Sequence, residues 1–185
     1  FAVFATPPLH GRTFGVTEDI PIGKIISITG GYQERKSTER TYFGIRFGYG
    51  NYINIGYIAA DLQFGSFFHA GRREEGMVNA GIVFFTGLAD VGRWKFRQFI
   101  KPQLTVGLDR LPTEQIEFHR TNGMGGFSSV LFGDKRFVLT LQTQSYAPWN
   151  VLGFRFGPYL VYSLGMLADR GSDFGNSRVY HQISL

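Results

Sequence analysis

Apolar and polar residues alternate with a period of two along most of this chain, often over ten residues or more. In 41–50, for example, one set of alternate positions holds Phe43, Ile45, Phe47 and Tyr49, and the other holds Gly44, Arg46, Gly48 and Gly50. A helix would mix the two sets around its circumference, whereas a strand separates them onto opposite faces. The pattern therefore predicts strands, and no segment predicts a convincing helix.

Further strands follow from the same alternation or from β-rich composition. They are 24–33, 58–69, 77–87, 97–109, 114–119, 136–146, 154–165 and 178–185, with a weaker one near 11–17. Turn-like segments rich in Gly, Asp, Asn and Ser separate them. Connections this short favour antiparallel neighbours. We predict an all-β fold with about nine or ten antiparallel strands in the chain.

Composition narrows the class further. The 185 residues include 25 Gly, 19 Phe and 9 Tyr but no Cys, which excludes a disulfide scaffold and any Cys-based zinc or iron–sulfur site. Charged residues make up 18% and hydrophobic residues 43%, which argues against disorder. High Gly with many aromatic residues suits a sheet whose backbones approach closely. No run of residues is apolar enough to predict a transmembrane helix.

Alternation alone does not decide which face meets solvent. In a soluble fold the apolar face points inward, whereas in a membrane barrel it meets lipid and the polar face lines the lumen. The strands reach the ~9–11 residues of a tilted membrane crossing. Aromatic residues near the strand ends are predicted on the apolar face as an interfacial girdle: Tyr42, Tyr49, Tyr52, Tyr57, Trp94 and Trp149. These features favour a transmembrane barrel over a soluble β-fold, which stays open.

Charged residues at the polar positions are then predicted to face the lumen. They are Arg46, Asp61, Lys101, Asp109 and Arg155. The formal net charge is +5, and the basic residues are spread over hairpin ends and lumen positions rather than along one stripe with stacking aromatics. We therefore predict no nucleic-acid partner. Contact with anionic lipopolysaccharide, or a cationic lumen, accounts for the charge.

An ordered set of motifs from Trp94 onward resembles the Omp85 superfamily, the outer-membrane surface-antigen barrels. The motifs lie at 123–127, 131–141, 146–149, 152–156 and 160–165. Upstream, 56–57 and 92–99 resemble the barrels of this group in Bacteroidota-type bacteria. The resemblance implies an integral outer-membrane barrel of about sixteen antiparallel strands. The single domain, 1–185, is then expected to be incomplete at both ends.

The resemblance also implies a role and partners. The role is the insertion, assembly or translocation of proteins or lipids at the outer membrane, without enzymatic activity. The implied partners are outer-membrane lipids and lipopolysaccharide, other outer-membrane or periplasmic subunits, and a polypeptide substrate. The alternatives are a passive anion-preferring pore, an accessory or anchor barrel in a larger complex, and a soluble ligand-binding β-barrel.

A loop at 121–134 is expected to fold into the lumen of such a barrel. Its expected inward-facing residues are Gly123, Gly125, Gly126 and Phe127. In the family an Arg in this loop pairs with acidic residues on the inner wall. Here those positions fall on Gly125, Gln142 and Ser163, so the loop is predicted to lack the ionic lock. Losing all three together avoids leaving a buried charge without its partner.

No motif predicts catalysis, a metal or a cofactor. The four histidines are His10, His69, His119 and His181, and none has metal-site spacing. Glu74 and Glu75 are interpreted as a solvated hairpin tip. A rim pair of His119 and Ser128 is the remaining catalytic alternative, although no Gly-x-Ser-x-Gly elbow supports it.

Overall fold

Strands form most of the computed structural model of the chain. The structure describes residues 9–13, 16–35, 38–110, 116–118, 124 and 131–185. The strands are β1 (Leu9–Thr13), β2 (Val16–Ile20), β3 (Gly23–Arg35), β4 (Thr38–Ile53), β5 (Gly56–His69), β6 (Arg72–Thr86), β7 (Ala89–Val91), β8 (Trp94–Leu108), β9 (Ile116–Glu117), β10 (Phe132–Gly133), β11 (Lys135–Tyr146), β12 (Asn150–Val151), β13 (Phe154–Arg155), β14 (Tyr159–Ala168) and β15 (Val179–Ser184). Within these residues the only helical element is a 3-10 turn, Phe174–Asn176. The predicted all-β class is confirmed.

One large antiparallel sheet contains most of these strands. Its order is β15-β14-β11-β8-β6-β5-β4-β3, and β7 pairs with β8 as a ninth strand. Three separate two-stranded sheets form from β1 with β2, β9 with β10, and β12 with β13. The large sheet is open, because β3 and β15 are not paired with each other. The antiparallel arrangement is thus confirmed, while closure into a barrel is not found in the described part of the chain.

The predicted strand 154–165 is wrong as a single element. The chain forms the short hairpin β12–β13, with Leu152 and Gly153 at positive φ in its turn, and enters the sheet only at Tyr159. Pro158 interrupts the strand because it has no N–H to donate to a ladder. Its carbonyl instead accepts a bond of 3.0 Å from the Ser145 amide, which ties the irregular segment to the end of β11.

The register separates two faces of the sheet. One row of cross-strand partners runs through every strand of the main path and is apolar: Ile26, Phe47, Leu62, Ala80, Leu104, Phe137, Met166 and Val179. The neighbouring row on the opposite side is mostly polar: Ser27, Arg46, Gln63, Asn79, Thr105, Arg136 and Leu167. We call these sides the apolar face and the polar face.

Burial on the two faces is opposite to that of a soluble sheet. On the apolar face Phe43, Phe47 and Leu62 are 41%, 43% and 47% exposed. On the polar face of the same β4 strand, Arg40 is only 7% exposed and Gly44 is buried. Soluble proteins bury large apolar side chains and expose charges. Around β4, therefore, the apolar face is the more exposed of the two.

The predicted aromatic girdle is divided between the faces, which corrects the sequence interpretation. Tyr52, Tyr57, Phe85 and Phe99 occupy one register row on the polar face, and Tyr57 is 4% exposed. The rings of Tyr57 and Phe85 stack with centroids 5.0 Å apart. Tyr42 also lies on the polar face. Aromatic type alone did not reveal this, because it is the register that assigns each ring to a side.

A glycine at the β4–β5 turn has a conformation and a neighbour that exclude a side chain. Gly56 has a φ of +155°, and a Cβ there would meet the carbonyl oxygen of Phe85 at 2.0 Å. That oxygen belongs to the backbone of β6, so it cannot rotate away. We expect Gly56→Ala to lower the free energy of unfolding by roughly 2–4 kcal/mol.

Urea unfolding, followed by tryptophan fluorescence, measures this loss. The control is Gly30→Ala in β3, where a Cβ would meet no atom within 4 Å. That variant should unfold at the wild-type urea concentration. Equal midpoints for the two variants would contradict the steric argument.

Candidate functional site

The polar face carries a short network of charged and amide groups at the centre of the sheet. Arg46 Nε lies 2.6 Å from Asp61 Oδ2, and Gln63 Nε2 donates to Asp61 Oδ1 at 2.6 Å. The side chains of Arg46 and Asp61 are 51% and 32% exposed. The register places Lys101 on the same face, two positions from Gln103. Arg46, Asp61 and Lys101 therefore share the polar face, as predicted. That this face lines a lumen stays a prediction.

Two other residues predicted for this face lie elsewhere. Asp109 follows β8 in a turn with a φ of 49° and accepts a bond of 2.7 Å from Arg73, at the end of the sheet. Arg155 is exposed in β13, which is outside the large sheet. The strands end earlier, or begin later, than alternation predicts, so parity no longer determines where these side chains lie.

A cavity of about 740 Å³ opens on the polar face beside Arg46 and Asp61. Gly48 and Gly81 form part of its wall. A Cβ atom added at either glycine would lie 3.6 Å or more from its nearest neighbour, so the space above both is open. The hollow over Gly44 and Gly65, by contrast, is occupied by the Tyr42 ring, whose hydroxyl would clash with either Cβ. The polar face therefore has two spaces above glycines: the one over Gly44 and Gly65 is filled by Tyr42, and the one over Gly48 and Gly81 is open.

The connection between β8 and β11 packs on the polar face where it is described. Phe118 and Met124 are buried against Val138 of β11, which is 1% exposed. A Cβ on Gly165 of β14 would lie 2.1 Å from Met124 Sδ and 2.9 Å from Phe118 Cζ. Gly165 thus leaves the space that these side chains occupy. The predicted loop residues Gly123, Gly125, Gly126 and Phe127 lie outside the described residues, so their inward orientation stays a prediction.

Arg136 holds the same connection to the sheet. Its Nη1 donates to the Glu117 carbonyl oxygen at 2.9 Å, and its Nη2 donates to Thr105 Oγ1 at 3.1 Å. One guanidinium therefore links β8, β9 and β11. The planar fork of arginine suits two acceptors in fixed positions. Sequence reasoning did not single out Arg136, although its polar parity within β11 was visible.

The two wall positions of the predicted lock are polar, and one of them, Gln142, lies beside a cation. Gln142 Oε1 accepts a bond of 3.4 Å from Lys101 Nζ. Ser163 is 2% exposed and its hydroxyl lies 3.3 Å from that of Thr140. Both lie on the polar face, where no carboxylate substitutes for the missing acids at these two positions. The absence of an ionic lock at the third position, Gly125, is untested.

A buried ion pair does exist, at the other end of the polar face. Arg40 Nη1 lies 2.5 Å from Glu75 Oε1, Nη2 donates to Gln33 Oε1 at 2.8 Å, and the guanidinium lies 4.6 Å from the Phe67 ring centroid. Side-chain exposure is 8% for Arg40 and 11% for Glu75. The interpretation of Glu75 as a solvated hairpin tip is wrong. Arg40 and Arg46 are both at even-numbered positions of β4, so the alternation that placed Arg46 on the polar face also predicts Arg40 there.

Other candidate chemistry finds no support in the described residues. Within them, no group of three His, Asp or Glu side chains could hold a metal ion. His69 Nδ1 lies 2.8 Å from the Glu39 carbonyl oxygen, and His181 Nδ1 lies 2.6 Å from the Tyr162 hydroxyl. His119 and Ser128 lie outside the described residues. No helix in the described ranges has the length and apolar content to cross a membrane.

Comparison with protein-family models, with curated proteins and with solved structures found no match to this chain.

Proposed function

We propose that this chain is part of the wall of an outer-membrane β-barrel of the Omp85 type, acting in the insertion, assembly or translocation of proteins or lipids. The observation that carries the proposal is the apolar face, which is continuous across the eight strands of the main path from β3 to β15 and on which Phe47, Leu62 and Val179 are exposed. The largest exposed apolar patch of an ordinary soluble monomer is about 300–600 Å². Hydrocarbon tails are a solvent in which such a face is stable.

Strand length agrees with this role. Strands β3 to β6 have 13 to 16 residues, and β8 has 15. A tilted crossing needs about 9–11 residues. In lipid, however, the free edges of β3 and β15 must be paired, because unpaired backbone N–H and C=O groups are costly there. The proposed role therefore requires further strands at both edges, from this protein's own polypeptide or from a partner.

The packed connection between β8 and β11 favours a plugged barrel over an open channel. Phe118 and Met124 cover part of the polar face, and Arg136 bonds the segment to two strands. A covered lumen suits gated passage and handling of a strand at a weak seam, whereas a diffusion pore requires free width. The anion-preferring pore remains the second candidate, favoured by Lys101, which has a glutamine rather than a carboxylate as its partner.

Membrane placement can be tested with adjacent residues on opposite faces. The chain has no cysteine, so Leu62→Cys and Gln63→Cys each introduce a single site for a spin label. In reconstituted vesicles we expect the Leu62 label to collide with oxygen dissolved in lipid. The Gln63 label should instead collide with a water-soluble nickel chelate. Two labels that both report bulk water would refute the membrane role.

Activity is tested separately with full-length chain in vesicles. An unfolded outer-membrane barrel added as substrate should insert faster than into empty vesicles of the same lipid. Insertion at the empty-vesicle rate, with a steady anion-selective conductance in planar bilayers, would refute the assembly role and support the pore. Rare, fluctuating openings would agree with a plugged barrel.

A further inference from the structure

The cavity on the polar face has a floor made of β4, β5, β6 and β8 and walls that hydrogen bonds hold in place. One wall includes Pro21, whose carbonyl oxygen accepts a bond of 2.6 Å from the Tyr57 hydroxyl. Another includes Ile116 and Glu117 of β9. Arg136 joins this wall to the sheet, since its Nη1 donates to the Glu117 carbonyl oxygen at 2.9 Å. The cavity is therefore preformed by the fold of the chain.

The register places polar groups around a glycine in the floor of this cavity. Gly81 of β6 lies between Asp61 of β5 and Gln103 of β8 in one cross-strand row. The neighbouring row on the same face pairs Gln63 with Asn79. Adjacent strands are about 4.8 Å apart, so the backbones at Asp61 and Gln103 are separated by roughly 10 Å. All five residues line the cavity, and the space above the glycine is open between the four polar side chains.

The charges in the floor are balanced, while two amides are left without partners. Arg46 Nε and Gln63 Nε2 each lie 2.6 Å from an oxygen of Asp61, so both carboxylate oxygens accept a bond and the guanidinium neutralises their charge. The side-chain amides of Asn79 and Gln103 make no hydrogen bond with any other described residue. Each amide has two donor hydrogens and one acceptor oxygen. Such groups favour an uncharged ligand that both donates and accepts hydrogen bonds.

The arrangement of these groups suits a ring with several hydroxyls. A hydroxyl donates and accepts, as the amides do. The polar groups surround Gly81 on three strands, whereas the amides of an extended peptide follow one line. The volume of about 740 Å³ lies within the range of about 300–1,000 Å³ that is usual for pockets that hold small ligands. A compact polyhydroxylated molecule therefore matches the cavity better than a polypeptide does.

We propose that this cavity binds an uncharged saccharide, of the size of a disaccharide or smaller. The ring lies over Gly81, and its hydroxyls bond the amides of Asn79 and Gln103 and the paired Arg46 and Asp61. The site goes beyond the proposed barrel function and does not rest on it, because its floor and walls consist of described residues alone.

Saturation-transfer NMR of the full chain, in a detergent without a sugar headgroup, tests the site. The probes are cellobiose, maltose, lactose and N,N′-diacetylchitobiose. We expect saturable binding of at least one of them, weakened roughly threefold to tenfold by Gln103→Leu, which removes one amide at similar size. The control is Gln182→Leu in β15, the same change outside the cavity, for which we expect wild-type affinity.

A second variant blocks the space and leaves every polar group in place. Gly81→Val puts a branched side chain above the floor, where the nearest atom to a Cβ is 3.9 Å away. We expect it to abolish saccharide binding at a wild-type urea midpoint. Gly30→Val in β3 is the matched control, since a Cβ there meets no atom within 4 Å and the residue does not line the cavity.

Three results would overturn the proposal. They are the absence of saturable binding for all four disaccharides, wild-type affinity in a folded Gly81→Val chain, and equal weakening by Gln103→Leu and Gln182→Leu. A capped tetraglycine peptide, whose amides also donate and accept, is the competing probe. Saturable binding of this peptide without binding of any disaccharide would replace the saccharide with a polypeptide ligand.

Discussion

Replacing Arg40 with Met should destabilise the protein by about 3–5 kcal/mol, because it leaves Glu75 buried without its cation. Arg40 and Glu75 are almost fully enclosed, and Gln33 and Phe67 complete the cation's surroundings. Their bond joins β4 to β6 across the intervening β5. Urea unfolding in detergent, monitored by tryptophan fluorescence, gives the change in free energy.

Two further variants separate the buried charge from a general loss of packing. Arg40→Met combined with Glu75→Gln removes both charges, so the double variant should recover much of the stability lost by Arg40→Met alone. Arg73→Met breaks the pair with Asp109, whose side chains are 43% and 52% exposed, and should cost about 1 kcal/mol or less. Arg40→Met as mild as Arg73→Met would show that the pair has no structural importance.

Adding one methyl group at Gly165 should release the β8–β11 connection from the polar face. The new Cβ would lie 2.1 Å from Met124 Sδ and 2.9 Å from Phe118 Cζ, so the ends of both side chains must shift. Their burial against Val138 contributes about 1.5–3 kcal/mol for each side chain. We expect Gly165→Ala to lose roughly 1–3 kcal/mol locally and to be cut by protease near Phe118 and Met124 faster than the wild type.

The control is Gly81→Ala on the same face, where the nearest atom to a built Cβ is 3.9 Å away. It should be cut by protease at the wild-type rate. Gly165→Ala combined with Met124→Ala makes room for the methyl group and should restore part of the resistance. If Gly165→Ala is as resistant as Gly81→Ala, the connection does not depend on this packing.

The alternation of apolar and polar residues predicted more of the fold than any sequence motif did. The predicted strand 41–50 lies within β4, and 136–146 nearly coincides with β11, because a side-chain period of two is a direct consequence of backbone geometry. The strand at 154–165 failed because alternation says nothing about hydrogen bonding, and Pro158 interrupts the ladder. The face on which a residue lies within a strand was predictable from the sequence. The residues at which strands begin and end were predictable less often.

The candidate site was predictable only in part, and for a related reason. Parity placed Arg46, Asp61 and Lys101 on one face, and the register agrees. The buried Arg97 Nε, which has no hydrogen-bond partner among the described residues, is evident only in three dimensions, since nothing in the sequence indicates that it lacks an acceptor. The pair of Arg40 with Glu75 also joins residues that are 35 positions apart.

The amino-acid sequence by itself determined that the chain forms long antiparallel strands with one apolar and one polar side, since both follow from local geometry and side-chain type. The tertiary structure decided which face is the more exposed around β4, which aromatic rings lie on each face, and that the sheet remains open between β3 and β15. These depend on register and on contacts between distant segments. The alternation of apolar and polar residues is the same whether the apolar face or the polar face is buried.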